Sequence, residues 1–133
     1  MEVFLYVVLA FVVVDLVFIG FVYYKRKSGG LSDTDRQKFL NYWKAVLEDN
    51  DHVHAVINAD KLLDRLLEKR GYKGSLGQKL KRAGSLFKDL DGVWAAHKLR
   101  NRIAHDMDVR ISTKEAQRAL DNFARAFKDL GLL

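Results

Sequence analysis

Residues 3–24 read VFLYVVLAFVVVDLVFIGFVYY, a run of 22 positions whose one charged residue is Asp15. At a rise of about 1.5 Å per residue, a helix of this length spans about 33 Å, enough to cross a hydrocarbon core of roughly 30 Å. A cleavable signal peptide would need a basic start and a small-residue cleavage site. Here the start is Met1-Glu2, and the stretch closes on Tyr23-Tyr24-Lys25-Arg26-Lys27. Two tyrosines followed by three basic residues have the chemistry of an interfacial anchor, so a retained single span is expected. Because the basic cluster follows the span, the N-terminus is expected outside and the rest of the chain in the cytoplasm, at the cell membrane. A carboxyl near the middle of a span costs about 2.5–3.5 kcal/mol on insertion scales. Asp15 is therefore expected either to hydrogen-bond another helix and drive self-association, or to be tolerated by an otherwise strongly apolar segment.

Charge divides sharply beyond this point. All 23 Lys and Arg residues lie at Lys25 or later, against 15 of the 17 acidic residues, so the remainder carries 23 − 15 = +8. Such a balance suits an anionic partner such as RNA, DNA or a lipid headgroup surface, and equally serves solubility. The chain has no cysteine, which excludes disulfides and thiolate metal sites and fits a reducing compartment. It has no proline, which favours uninterrupted helices.

After Ser28-Gly29-Gly30, a short break, the sequence reads as helices separated by caps. Ser32-x-x-Asp35 is an acidic variant of the capping box and starts a helix expected to reach about Glu48, with Phe39, Trp43, Val46 and Leu47 as its apolar stripe. Asp49-Asn50-Asp51 is a turn. A helix from about His52 to Arg70 follows, burying Val53, Val56, Ile57, Leu62, Leu63, Leu66 and Leu67 and stopping at Gly71. Ser75-x-x-Gln78 opens a short helix to near Phe87, and Asp91-Gly92 opens the next, to about His105. Ser112-x-x-Glu115 is a full capping box before Ala116, Leu120, Phe123, Phe127 and Leu130. No stretch alternates with period two for long enough to suggest a sheet. The expected fold is all-α: a transmembrane anchor over residues 1–27, a linker over 28–31, and an antiparallel bundle of about five helices over 32–133.

The chemistry concentrates in Ala96-His97-Lys98-Leu99-Arg100-Asn101-Arg102-Ile103-Ala104-His105-Asp106. At 100° per residue, Ala96, Leu99, Ile103 and Met107 share one arc and are expected in the core. His97, Arg100, Asn101, Ala104 and His105 share another, a face that packing within one chain is not expected to need. Solvated faces are usually rich in Lys and Glu, and this one is not.

Arg100-Asn101-x-x-x-His105 resembles the Arg-polar-x-x-x-His signature of HEPN domains, small helical bundles. The resemblance extends to context over about Ser32 to Leu133: the motif closes a late helix, a capped final helix follows, and long amphipathic helices precede it. What it implies is metal-independent RNA cleavage at paired motifs across a homodimer interface, with Arg100, Asn101 and His105 catalytic and no cofactor. His105 would move a proton to or from the ribose 2′-hydroxyl or the leaving oxygen, and Arg100 would hold the phosphate. Asn101, one helical turn from His105, would orient either. His97, Lys98 and Arg102 are candidate substrate-binding residues. Many HEPN-like domains serve instead as binding or dimerisation modules, and in that alternative Arg100 pairs with an acidic residue and His105 caps its helix. An open basic groove at Arg100 and His105 favours the enzyme; salt-bridged burial favours the module.

Three lesser candidates read as structural. Asp60 and Asp64, one turn apart, are expected to form a solvated edge with Lys61 and Arg65, rather than to anchor Arg100 or a substrate. Asp51-His52-x-His54 lacks the convergent ligands of a metal site, since residues two apart do not share a helix face. Gly71-Tyr72-Lys73-Gly74-Ser75-x-Gly77 lacks the Gly-Lys-Ser/Thr run of a phosphate loop. Lys79, Lys81 and Arg82 beside it form either a basic rim for RNA or a solvated face.

Overall fold

The computed structural model describes residues 1–27 and 30–133, with residues 25–27 described by backbone alone. Ser28 and Gly29 of the expected linker, and the side chains of the basic cluster Lys25-Arg26-Lys27, lie outside the described residues. The chain forms two compact units, Met1–Gly30 and Leu31–Leu133.

The first unit is one helix, α1 (Glu2–Lys27). Its window Glu2–Tyr24 is long and apolar enough to cross a membrane. Large apolar side chains stay exposed along it, from Phe4 to Tyr24.

The second unit is a bundle of α2 (Asp33–Leu47), α3 (His52–Lys69), α4 (Leu76–Ala83), α5 (Leu90–His105) and α6 (Thr113–Asp129). No strand occurs among the described residues. Each helix starts where a side chain can take up the amide groups that have no carbonyl four residues back. Ser32 accepts from Asp35 N–H, and Asp51 from Val53 and His54 N–H. Ser75 and Ser112 form reciprocal capping boxes with Gln78 and Glu115. Gly71 ends α3 in the left-handed region at φ 92°, which a glycine adopts without strain.

The long helix α3 lies at the centre and touches α2, α4, α5 and α6. Val56, Leu63, Leu66 and Leu67 are fully buried, as are Phe123 and Phe127 of α6. Trp43 of α2 meets Phe127 edge-on at 5.0 Å between ring centres. The buried alanines Ala59, Ala96 and Ala119 keep the side chains between helices short. Arg36 ties α2 to the segment after α6, donating to the carbonyls of Gly131 at 2.7 Å and Leu132 at 3.3 Å. Arg70 donates to the Leu130 carbonyl nearby.

Several expected details change. Met107 is fully exposed rather than in the core, because α5 has already ended at His105. Leu47, the last residue of α2, is also exposed. The third soluble helix ends at Ala83 and passes into a short 3₁₀ turn over Gly84–Leu86. The cap of α5 is Asp89, whose carboxylate accepts from Gly92 N–H at 2.9 Å.

Candidate functional site

Val93 and Ala96 seat α5 in the core, and Leu99 and Ile103 pack against it. One residue beyond Ala96, His97 does not face water: it is 9% exposed and meets Asp60 of α3. Asp60 Oδ1 lies 2.8 Å from His97 Nδ1, and Asp60 Oδ2 lies 3.4 Å from Arg100 Nε. Arg100 Nη1 donates to Asn101 Oδ1 at 3.4 Å, and Asn101 Nδ2 stands 3.3 Å from His97 Nε2. The four side chains form a closed ring. A carboxylate only accepts, so His97 presents its N–H at Nδ1; Nε2 is then the acceptor for the Asn101 amide. Trp94 covers the imidazole at 5.9 Å between ring centres.

This arrangement corrects two expectations. The face carrying His97, Arg100 and Asn101 does have a packing role within one chain, because it is zipped to α3. Asp60, expected at a solvated edge, is 5% exposed. A buried carboxylate is tolerated when it is paired and hydrogen-bonded; His97 supplies the hydrogen bond to Oδ1, and Arg100 faces Oδ2 as an ion pair, its buried Nε making no hydrogen bond. Asp64 pairs not with Lys61 or Arg65 but with Lys79, at 2.8 Å. Lys79 is buried and therefore drops out of the candidate basic rim, while Lys81 and Arg82 remain exposed.

The ring forms one wall of a cleft of about 420 Å³ whose lining includes Lys61, Ser75 and Gly77. The Arg100 side chain, 34% exposed, stands at this cleft. His105 sits apart. It is the last residue of α5, exposed, and its side chain makes no hydrogen bond or ion pair with another described residue. Five residues along a helix amount to about 140° of rotation and about 7.5 Å of rise. Arg100 and His105 therefore stand at opposite edges of the arc on which they were expected together, and α5 brings together Arg100, Asn101 and His97 but not His105. Lys98 is exposed. Arg102 is held by Glu115 Oε1 at 3.0 Å, beside the cap of α6.

Glu115 lies below the usual carboxylate range because Ser112 N–H donates to it, with Arg102 and the Ser112 hydroxyl adding to the effect. A depressed folded value stabilises the fold above the unfolded value of about 4.3 and loses that contribution as pH falls through the folded value. The stability gap between the parent and Glu115→Gln should therefore be open at neutral pH and narrow as the pH falls below the unfolded value of about 4.3 and through the lower folded value. Paired denaturation curves across that range measure it, and a gap independent of pH contradicts the assignment. In the turn between α2 and α3, Asp49 is similarly held low by Asp51 N–H and then by His54, whose Nδ1 is 2.5 Å away. His54 is thus turned toward Asp49 and Asn58.

Sequence reasoning missed Asp60 as the partner of His97. The two lie 37 residues apart, and no local periodicity marks such a pair. Comparison of the chain with family models, curated proteins and solved structures found no match.

Proposed function

We propose that the chain is a membrane-anchored, HEPN-like cytoplasmic domain that works as a homodimer and cleaves RNA without a metal. The observation that carries this reading is the division of labour on α5. Arg100 is braced by a buried carboxylate at the edge of a cleft, while the His105 side chain is exposed and has no partner among the described residues. A guanidinium so held can bind a phosphate without first losing its own conformational freedom. An exposed imidazole is free to accept a proton from a ribose 2′-hydroxyl. The freed 2′-oxygen would attack the adjacent phosphorus, breaking its bond to the 5′-oxygen. A second imidazole would return a proton to that leaving oxygen, and the products would carry a 2′,3′-cyclic phosphate and a 5′-hydroxyl. Arg100 and His105 diverge on one helix, so a second copy of α5 is needed to complete each site; this is the physical reason for the dimer. DNA lacks the attacking hydroxyl and would not be cut.

A non-catalytic binding or assembly module is the second reading. The observation favouring it is the ring itself: Arg100 is ion-paired to the buried Asp60, the arrangement expected of the module, and Asp60, His97 and Asn101 already account for it as a structural residue. Incubating the purified chain in micelles with mixed RNAs in EDTA, beside His105→Ala, separates the two. A sedimentation mass for residues 29–133 tests the dimer.

The basic residues Lys25, Arg26 and Lys27 after the apolar stretch support the cytoplasmic orientation. A C-terminal reporter active only outside the cytoplasm should stay silent, and a strong signal from it would reverse the topology.

A further inference from the structure

Helix α1 carries several residues spaced by seven. Phe4, Phe11 and Phe18 are seven apart, as are Leu9 and Leu16, and Val8, Asp15 and Val22 form a third such series. An α-helix drifts by only about 20° over seven residues, so each series stays on one face along the span. Asp15 lies one turn from Phe11 and from Phe18, and Val12 and Ile19 border it on the other side. This stripe is exposed at Val8, Phe11, Val12, Asp15, Phe18 and Ile19, and Asp15 has no hydrogen bond or ion pair with another described residue. Asp15 precedes Tyr24 by nine residues, about 13 Å along the helix axis. That places it deep in the hydrocarbon, where water cannot satisfy a carboxyl.

We propose that two copies of α1 pair in parallel along this stripe, with the Asp15 carboxyl of one donating an O–H···O hydrogen bond to Asp15 of the other. The inference rests on the reading of α1 as a membrane span and is independent of the RNA chemistry. A second copy fits this face for two reasons. Copies inserted in the same direction carry an identical carboxyl at an identical depth. A carboxylic acid is self-complementary, with one donor and spare acceptor capacity, which suits a two-fold symmetric contact. The period of seven keeps the stripe on the partner along a left-handed crossing, and a single polar residue in such a seam fixes its register. The pair would raise the effective concentration of the two attached domains, which the split between Arg100 and His105 requires.

The chain has no native cysteine, so single introduced cysteines report on the contact. The full chain, reconstituted in phosphatidylcholine vesicles, would carry Val8→Cys on the stripe or Val17→Cys on the opposite face, each cross-linked by mild oxidation. Disulfide dimers should form at least about fivefold faster through position 8, and adding Asp15→Val should remove that advantage. Asp15→Asn, which keeps a donor and an acceptor, should preserve it. Dimerisation by the soluble domains alone would not distinguish the two positions, so equal rates at positions 8 and 17 overturn the pairing. Indifference to Asp15→Val, or cross-linking only to a different protein, does the same. Release of the chain from membranes by an alkaline carbonate wash would overturn the anchor itself and so identify that reading as the one that failed.

Discussion

If the proposed RNA chemistry holds, replacing His105 by Ala should lower cleavage by at least about 100-fold while leaving the helical spectrum unchanged. The rate figure is that expected for losing a positioned acid or base. The unchanged fold follows from the exposed position of His105 at the end of α5, where its side chain bonds to nothing among the described residues. Cleavage in the parent should survive EDTA, favour single strands, and leave 2′,3′-cyclic phosphate ends or their hydrolysis product. A regular A-form helix aligns the 2′-hydroxyl poorly for attack on its neighbouring phosphate, which is the reason for the single-strand preference. Equal activity in parent and His105→Ala preparations would mark a contaminating nuclease and end the catalytic assignment. Absence of activity in every preparation would leave the assembly module. Arg100→Ala is a less clean probe than the sequence suggests. It should also abolish cleavage, but it removes the cation paired with the buried Asp60 carboxylate, so its stability must be measured alongside.

Asp60→Ala should destabilise the bundle by about 3 kcal/mol, a large share of a typical domain's stability of about 5–15 kcal/mol. The lost carboxylate leaves the buried His97 Nδ1–H without its acceptor and Arg100 without its counter-ion. Removing one member of a buried polar set costs more than the set contributes net, because the survivors stay desolvated. For a domain of this size the melting temperature should fall by about 10–20 °C. Asp60→Asn keeps the shape and one acceptor and should lose less. Thermal and urea unfolding of the two variants measure the difference. A change of under about 0.5 kcal/mol for Asp60→Ala, the range of ordinary surface substitutions, would show that the ring contributes little to holding α5 on α3.

The sequence alone determined the local elements. The caps Ser32, Asp51, Ser75 and Ser112 sit where side-chain oxygens meet unpaired amides, and both partners of each contact lie within three residues. The apolar stretch of α1 and the stripes of α3 and α6 are likewise short-range patterns, so helix type, the number of soluble helices and the long apolar N-terminal helix were all legible. Boundaries were less so. Met107 continues the apolar arc of α5 in register, but Asp106 already leaves helical geometry at φ −112° and ψ 117°. The site divides along the same line. Arg100, Asn101 and His105 form a string that can be read directly; Asp60 is a candidate anchor for Arg100 that the sequence sets aside for a solvated edge, and its contact with His97 carries no local signal. A helical wheel puts His97 and Asp60 on polar faces because each is polar alone. Paired at 2.8 Å across two helices, they satisfy one another and become buried. Only the tertiary structure decides this, because a side chain's solvation depends on which distant residue the packing of α3 against α5 brings to meet it.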